Sequence, residues 1–158
     1  MRAAIRLLAV TIAALTTACL LASVASAAPK VGTGVKLSAT LTGPAEAPIP
    51  GDPNASGTAL FRINPGQGTI CYVLTVSGIE PAFAAHIHIA PVGEPGPVVV
   101  PLNPPTSGSS SGCASVTREL ALAIIHNPGA YYVNVHNADF PGGAARGQLT
   151  KGWPHKNS

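Results

Sequence analysis

Charge is scarce in this sequence. Asp, Glu, Lys and Arg make up 9 % of its 158 residues, against about 25 % in an average soluble chain. The formal charge is only +3 and no stretch gathers Lys and Arg, so the electrostatic footprint of nucleic-acid binding is absent. The acids Glu46, Asp52, Glu80, Glu94, Glu119 and Asp139 show no spacing that pairs two carboxylates for acid–base work. Neither a G-x-S-x-G elbow nor a phosphate-cradling glycine loop occurs. Long helical patterns are missing too. The 17 glycines and 16 prolines favour turns and exclude a coiled coil, a helical bundle and a charged disordered tail. The length is that of a single domain.

The longest apolar run lies at the N-terminus. Arg2 and Arg6 precede an apolar stretch from Leu7 to Val24, which ends in Ala25-Ser26-Ala27 with Pro29 just beyond. The run approaches membrane-spanning length, but the basic start and the small-residue A-x-A end read as a cleaved export signal over residues 1–27. The residues after Cys19 stay apolar, unlike the polar tether of a lipoprotein. Residues 28–34 then read as a linker, 35–150 as the domain and 151–158 as a flexible tail. The expected location is secreted, extracellular or periplasmic, with no membrane attachment after cleavage. Loss of Cys19 leaves Cys71 and Cys113. An even pair in an exported chain reads as one disulfide, typically worth about 3–4 kcal/mol in the chain-entropy view.

Past the signal the chain reads as short strands. Val35, Leu37, Ala39 and Leu41 alternate with polar residues, the period of a half-buried strand. Thr58 to Ile63 and Thr69 to Ser77 flank Asn64-Pro65-Gly66-Gln67-Gly68, a hairpin signal. Ala84 to Ala90, Pro97 to Leu102, Ala130 to Asn137 and Ala145 to Thr150 are further strands. Asn103 to Gly112 is rich in Ser, Gly and Pro and reads as a mobile loop, with Ser109-Ser110-Ser111 serving as linker. Thr117 to Asn127 is the one helix, capped by Thr117 and stopped by Pro128-Gly129. Seven or eight strands at this spacing predict an all-β fold, an antiparallel Greek-key β-sandwich or barrel with one short helix.

The histidines carry the distinctive chemistry. His86 and His88 sit two apart on one strand, so both imidazoles share a face. On Tyr131-Tyr132-Val133-Asn134-Val135-His136, Val133 and Val135 share the core face, while Tyr132, Asn134 and His136 share the other. Neutral imidazoles of His86, His88 and His136 suit copper or zinc if the two strands are close. A hydrogen-bonded polar cluster and simple solvent exposure are the competing readings. His126 falls at the end of the helix, where it meets the helix dipole, and His155 lies in the tail.

The runs Ala85-His86-Ile87-His88-Ile89-Ala90, Gly96-Pro97-Val98-Val99-Val100, Tyr131-Tyr132-Val133-Asn134-Val135-His136 and Gly143-Ala144-Ala145-Arg146-Gly147-Gln148-Leu149 resemble, in this order, the chordin-type CHRD domain, here in the single-domain form of secreted bacterial proteins. The resemblance covers Lys36 to Leu149 and implies an immunoglobulin-like or related β-barrel. It implies no settled activity. A weaker resemblance, carried by the H-x-H strand, the strand ending in Val135-His136 and the Arg before the last strand, is to copper/zinc superoxide dismutases. It implies copper on His86, His88 and His136, with Arg146 as a catalytic residue attracting superoxide. The segment from Pro91 to Gly112 has no His or Asp, so the zinc-loop ligands of that family have no counterpart. A buried or surface salt bridge near the last strand is the alternative role for Arg146. The sequence therefore supports a secreted binding or structural module with an extracellular protein or surface partner and no settled catalysis. A copper-binding protein with a three-histidine site, superoxide-dismutase-like if an enzyme, is the alternative.

Overall fold

A computed structural model describes residues 34–153 of the chain. The expected export signal, most of the expected linker and the tail residue His155 lie outside the described residues. The strands are β1 (Val35–Thr42), β2 (Ser56–Asn64), β3 (Thr69–Ser77), β4 (Ala84–Ile89), β5 (Val98–Leu102), β6 (Ser109–Ser115), β7 (Tyr131–His136), β8 (Ala145–Gln148) and β9 (Thr150–Lys151). One helix, α1 (Arg118–His126), precedes β7. All pairings are antiparallel, in the order β5-β4-β7-β8-β1-β2-β3-β6, with β9 added to β1. The end strands β5 and β6 lie against each other, so the sheet curls into a nearly closed barrel. The all-β expectation, with one short helix, is what the chain adopts.

Period-two patterning explains the core. In β3 the residues Ile70, Tyr72, Leu74 and Val76 point inward, and Cys71, Val73, Thr75 and Ser77 outward. Leu37 and Leu41 of β1, Phe61 and Ile63 of β2, Ile87 of β4 and Val133 and Val135 of β7 complete the interior. Burial of such side chains contributes about 1.5–3 kcal/mol each. The helix adds Ala121 and Ile124 to this core. It starts where expected, with Thr117 Oγ1 accepting from the Leu120 amide at 3.2 Å.

The stretch read as a mobile serine linker is corrected in part. Ser109 to Ser115 form β6, paired with β3 from Thr75↔Ser109 to Thr69↔Ser115. Its small residues carry no hydrophobic alternation, because an edge strand here needs only its backbone ladder. A covalent tie reinforces that ladder: Cys71 and Cys113 stand opposite each other and form the disulfide. At the other end, contacts continue past residue 150 to Trp153. β9 pairs Lys151 with Leu37, and Trp153 Nε1 donates to Phe61 O at 3.1 Å. The Trp153 ring lies under Lys36 Nζ and Arg62 Cζ, 5.0 and 4.6 Å from its centre.

Candidate metal centre

Strand register brings the histidines together. β4 pairs with β7 so that His86 faces Asn134, His88 faces Tyr132 and Ala84 faces His136. β7 pairs with β8 so that Asn134 faces Arg146 and Tyr132 faces Gln148. Residues directly opposite in an antiparallel pair put their side chains on the same face. His86, His88, Tyr132, Asn134, His136, Arg146 and Gln148 therefore share the outer face of β4, β7 and β8. This is the face the alternation assigned them, but it is not a solvent face. All six residues of β7 are buried.

The cover is the loop between β4 and β5, fixed by its own carbonyls. Gly96 O accepts from His88 Nδ1 at 2.8 Å, and the Gly96 amide donates to Tyr132 Oη at 3.3 Å. Glu94 O and Pro91 O each accept from Arg146, from Nη1 and Nη2, at 2.9 Å. Gln148 Nε2 donates to Ala90 O at 2.7 Å. On the far side, the segment after β7 supplies Pro141 O, 3.0 Å from His136 Nδ1.

These carbonyls select tautomers. A carbonyl only accepts, so the hydrogens of His88 and His136 sit on Nδ1 and each Nε2 carries a lone pair. His88 Nε2 is buried and has no hydrogen-bond partner. His136 Nε2 lies 3.2 Å from His86 Nδ1. One ligand atom from each of the three rings falls within 4.8 Å of the others. Two nitrogens held at about 2.0–2.1 Å on one tetrahedral ion stand about 3.3 Å apart, so the 3.2 Å His86–His136 separation fits co-ligands as well as it fits an N–H···N hydrogen bond. Burial holds both His86 and His136 below the usual histidine pKa. The other histidines' charges add to this for His86, as His88 does for His136, while the Pro141 hydrogen bond opposes it there. Both rings are thus neutral and able to ligate at neutral pH.

The rings are braced by stacking. His88 lies flat on Tyr132, centres 4.7 Å apart and planes 8° apart. Arg146 Cζ sits 3.4 Å from the centre of the same tyrosine ring. Since β7 runs between β4 and β8, Tyr132 is held from both sides. Phe83, exposed, stacks on His136 with centres 6.4 Å apart. Arg146 itself is 1 % exposed and its terminal nitrogens are committed to Pro91 O and Glu94 O. It pins the covering loop, and its charge acts on the buried Glu46 carboxyl rather than on solvent.

Glu46 was not singled out by the sequence reading. It lies in the connection after β1, 7 % exposed, and its Oε1 is buried without a hydrogen-bond partner. Hydrogen bonding from the Asn134 side chain and the Ala47 backbone favours the ionised carboxylate. Burial pushes the Glu46 pKa up to about 7, against the opposing pull of Arg146 and these hydrogen bonds. Gly143, at φ +145°, makes room for the carboxylate: a Cβ there would collide with it. A lone acid in Pro44-Ala45-Glu46-Ala47-Pro48 carries no periodic signal. His126 ends α1 as expected, in the last turn where a cation meets the dipole.

A family model for the CHRD domain matches residues 37–149. That span holds the three histidines, Asn134, Glu46, Arg146 and the disulfide. No curated protein matches the chain.

Proposed function

The chain belongs to the CHRD domain family, and on that footing we propose that it is an exported module that binds one copper or zinc ion through His86, His88 and His136. The observation that carries the reading is the buried, unpartnered Nε2 of His88, whose tautomer Gly96 O fixes. A buried polar atom without a partner costs free energy, and a cation among three neutral imidazoles removes that cost. Imidazole donors suit both metals, and copper(II) binds such sites more tightly than zinc. Two of the three ligands already have the carbonyl hydrogen bond on the far nitrogen that orients metal-binding histidines. An oxidising compartment agrees with the Cys71–Cys113 disulfide. No helix among the described residues is long and apolar enough to cross a membrane.

The test is metal content. The protein, purified from an oxidising compartment and dialysed against equimolar copper and zinc, is counted for metal beside His86→Ala/His88→Ala. The expected result is about one copper per chain, lost in the variant. Absence of stoichiometric metal from both proteins overturns the proposal and returns the histidines to a structural polar cluster in a binding module. The search then turns to extracellular protein partners.

A further inference from the structure

We infer that Asn134 Oδ1 is the fourth ligand of this centre and that the buried Glu46 carboxylate, bonded to the same side chain, aims and polarises it. The inference rests on the metal reading of the three histidines and adds an oxygen donor to it.

Placement comes first. Asn134 stands directly across from His86, two residues before His136 on the same face of β7, and is 2 % exposed. Its Oδ1 lies 3.1 Å from His136 Nε2. The hydrogen of that ring is already on Nδ1, facing Pro141 O. The amide oxygen and Nε2 therefore meet lone pair to lone pair, which is unfavourable unless a positive centre lies between them. Their separation again matches that of two atoms bound to one ion, about 3.3 Å for tetrahedral coordination with bonds near 2.0–2.1 Å. His136 Nε2 thus has ligand-type spacing to His86 Nδ1 on one side and to Asn134 Oδ1 on the other.

The amide is also prevented from turning over. A flipped Asn134 places its Nδ2 against His136, relieving that contact, but turns Oδ1 onto the Glu46 carboxylate. The ionised Glu46 carboxylate, which hydrogen bonding with the Asn134 side chain favours, opposes this. The same hydrogen bonding draws electron density toward Oδ1, as an outer carboxylate raises the basicity of a ligand it touches. When ionised, Glu46 adds a negative charge beside Asn134, and Arg146 Nη1 and Nη2 are turned away to Glu94 O and Pro91 O. Sequence distance hides this device: Glu46 lies outside every strand, and Asn134 reads only as a polar residue between two valines.

The chemical consequence is selectivity. Three imidazoles and one amide oxygen form a borderline-to-hard donor set, whereas copper(I) is drawn by thiolates and thioethers. The site therefore takes divalent copper or zinc.

The experiment compares the wild-type chain with Asn134→Leu, Asn134→Asp and Glu46→Gln. Each is loaded with copper(II), examined by electron paramagnetic resonance, and titrated with zinc against a chelator. Asn134→Leu is expected to keep one ion with zinc binding weakened by at least the roughly 10–100-fold typical of losing an outer-shell partner, and an altered copper hyperfine splitting. Asn134→Asp restores an oxygen ligand, now charged, and gives tight binding with a third, distinct spectrum. Glu46→Gln keeps the hydrogen-bond acceptor and falls between wild type and Asn134→Leu in affinity. Should Asn134→Leu fail to fold, the isosteric Asn134→Asp decides. A spectrum and affinity unchanged from wild type in the folded Asn134 variants overturns the assignment. A wild-type chain that holds no stoichiometric metal removes instead the three-histidine reading beneath it.

Discussion

Two outward-facing rows of the same barrel meet opposite fates. Across β1, β2, β3 and β6 runs the row Thr40, Thr58, Thr75 and Ser109, each residue opposite the next. All four are exposed, and Thr58 and Thr75 share a 2.9 Å hydroxyl contact in water. Across β4, β7 and β8 runs the row His86, Asn134 and Arg146, built by the same antiparallel pairing. Here loops lie over the sheet, and Asn134 and Arg146 are almost wholly buried. Alternation chooses the face, and a covering loop decides whether that face becomes a solvated surface or a site. Once covered, every polar atom must find a partner. The covered site meets this demand with backbone carbonyls, stacking and a carboxylate; of the three buried polar side-chain atoms left unpartnered among the described residues, two lie here, His88 Nε2 and Glu46 Oε1, and the third is Arg62 Nε.

The contrast makes graded predictions. The largest effect is expected for Arg146→Met. It leaves the Pro91 and Glu94 carbonyls without their donor, takes one face from Tyr132 and strips Glu46 of its cation. Loss of one member of a buried charged network costs about 3–5 kcal/mol, and a urea denaturation curve reads it. A cost below about 1 kcal/mol would show that the covered row is no more dependent on its contacts than the exposed one.

An intermediate effect, visible as a slope, is expected for Glu46→Gln in the metal-free chain. Glu46 titrates near 7 in the fold against an ordinary value of 4.5. Between those values the folded chain keeps a proton that the unfolded chain has lost. Stability from this group is therefore fully present below about 4.5 and declines as pH rises toward about 7. His86 and His136, held below their ordinary 6.5, work the other way, adding stability as pH rises to that value. Both histidines remain in Glu46→Gln, so the difference between the two stability profiles isolates the carboxylate, whose neighbours are Arg146, Asn134 and the Ala47 amide. A difference that does not change with pH refutes the assignment.

The smallest effect belongs to the exposed row. Thr58→Val, alone or with Thr75→Val, is expected to change stability by no more than about 0.5 kcal/mol, measured by thermal unfolding. A larger loss would mean that the hydroxyl row is not simply solvated.

Particular elements show what the sequence made legible. β1 and β7 announced themselves through alternation, the β2–β3 hairpin through Asn64 to Gly68, and α1 through its Thr117 cap and Pro128 stop. The shared face of His86, His88 and His136 followed from period two alone, and their resemblance to the CHRD pattern placed them within one domain. β6 was illegible because an edge strand of serines has no apolar face to betray it. β9 is too short to show a period. The partners of the polar row were also hidden, since Arg146 finds its carbonyls 52 and 55 residues away in an irregular loop. No local pattern encodes a backbone oxygen.

The bipartite origin of the histidines sets an order of events. His86 and His136 lie 50 residues apart in sequence, and bringing such ends together in a flexible chain costs about 3.5 kcal/mol of loop entropy. An unfolded chain therefore offers an ion only the adjacent His86–His88 pair, a chelate without its third arm. The folded barrel has already closed that loop through β4–β7 pairing. On the metal reading, loading follows folding, and an ion that recognises only the finished barrel would pull the folding equilibrium toward it by mass action.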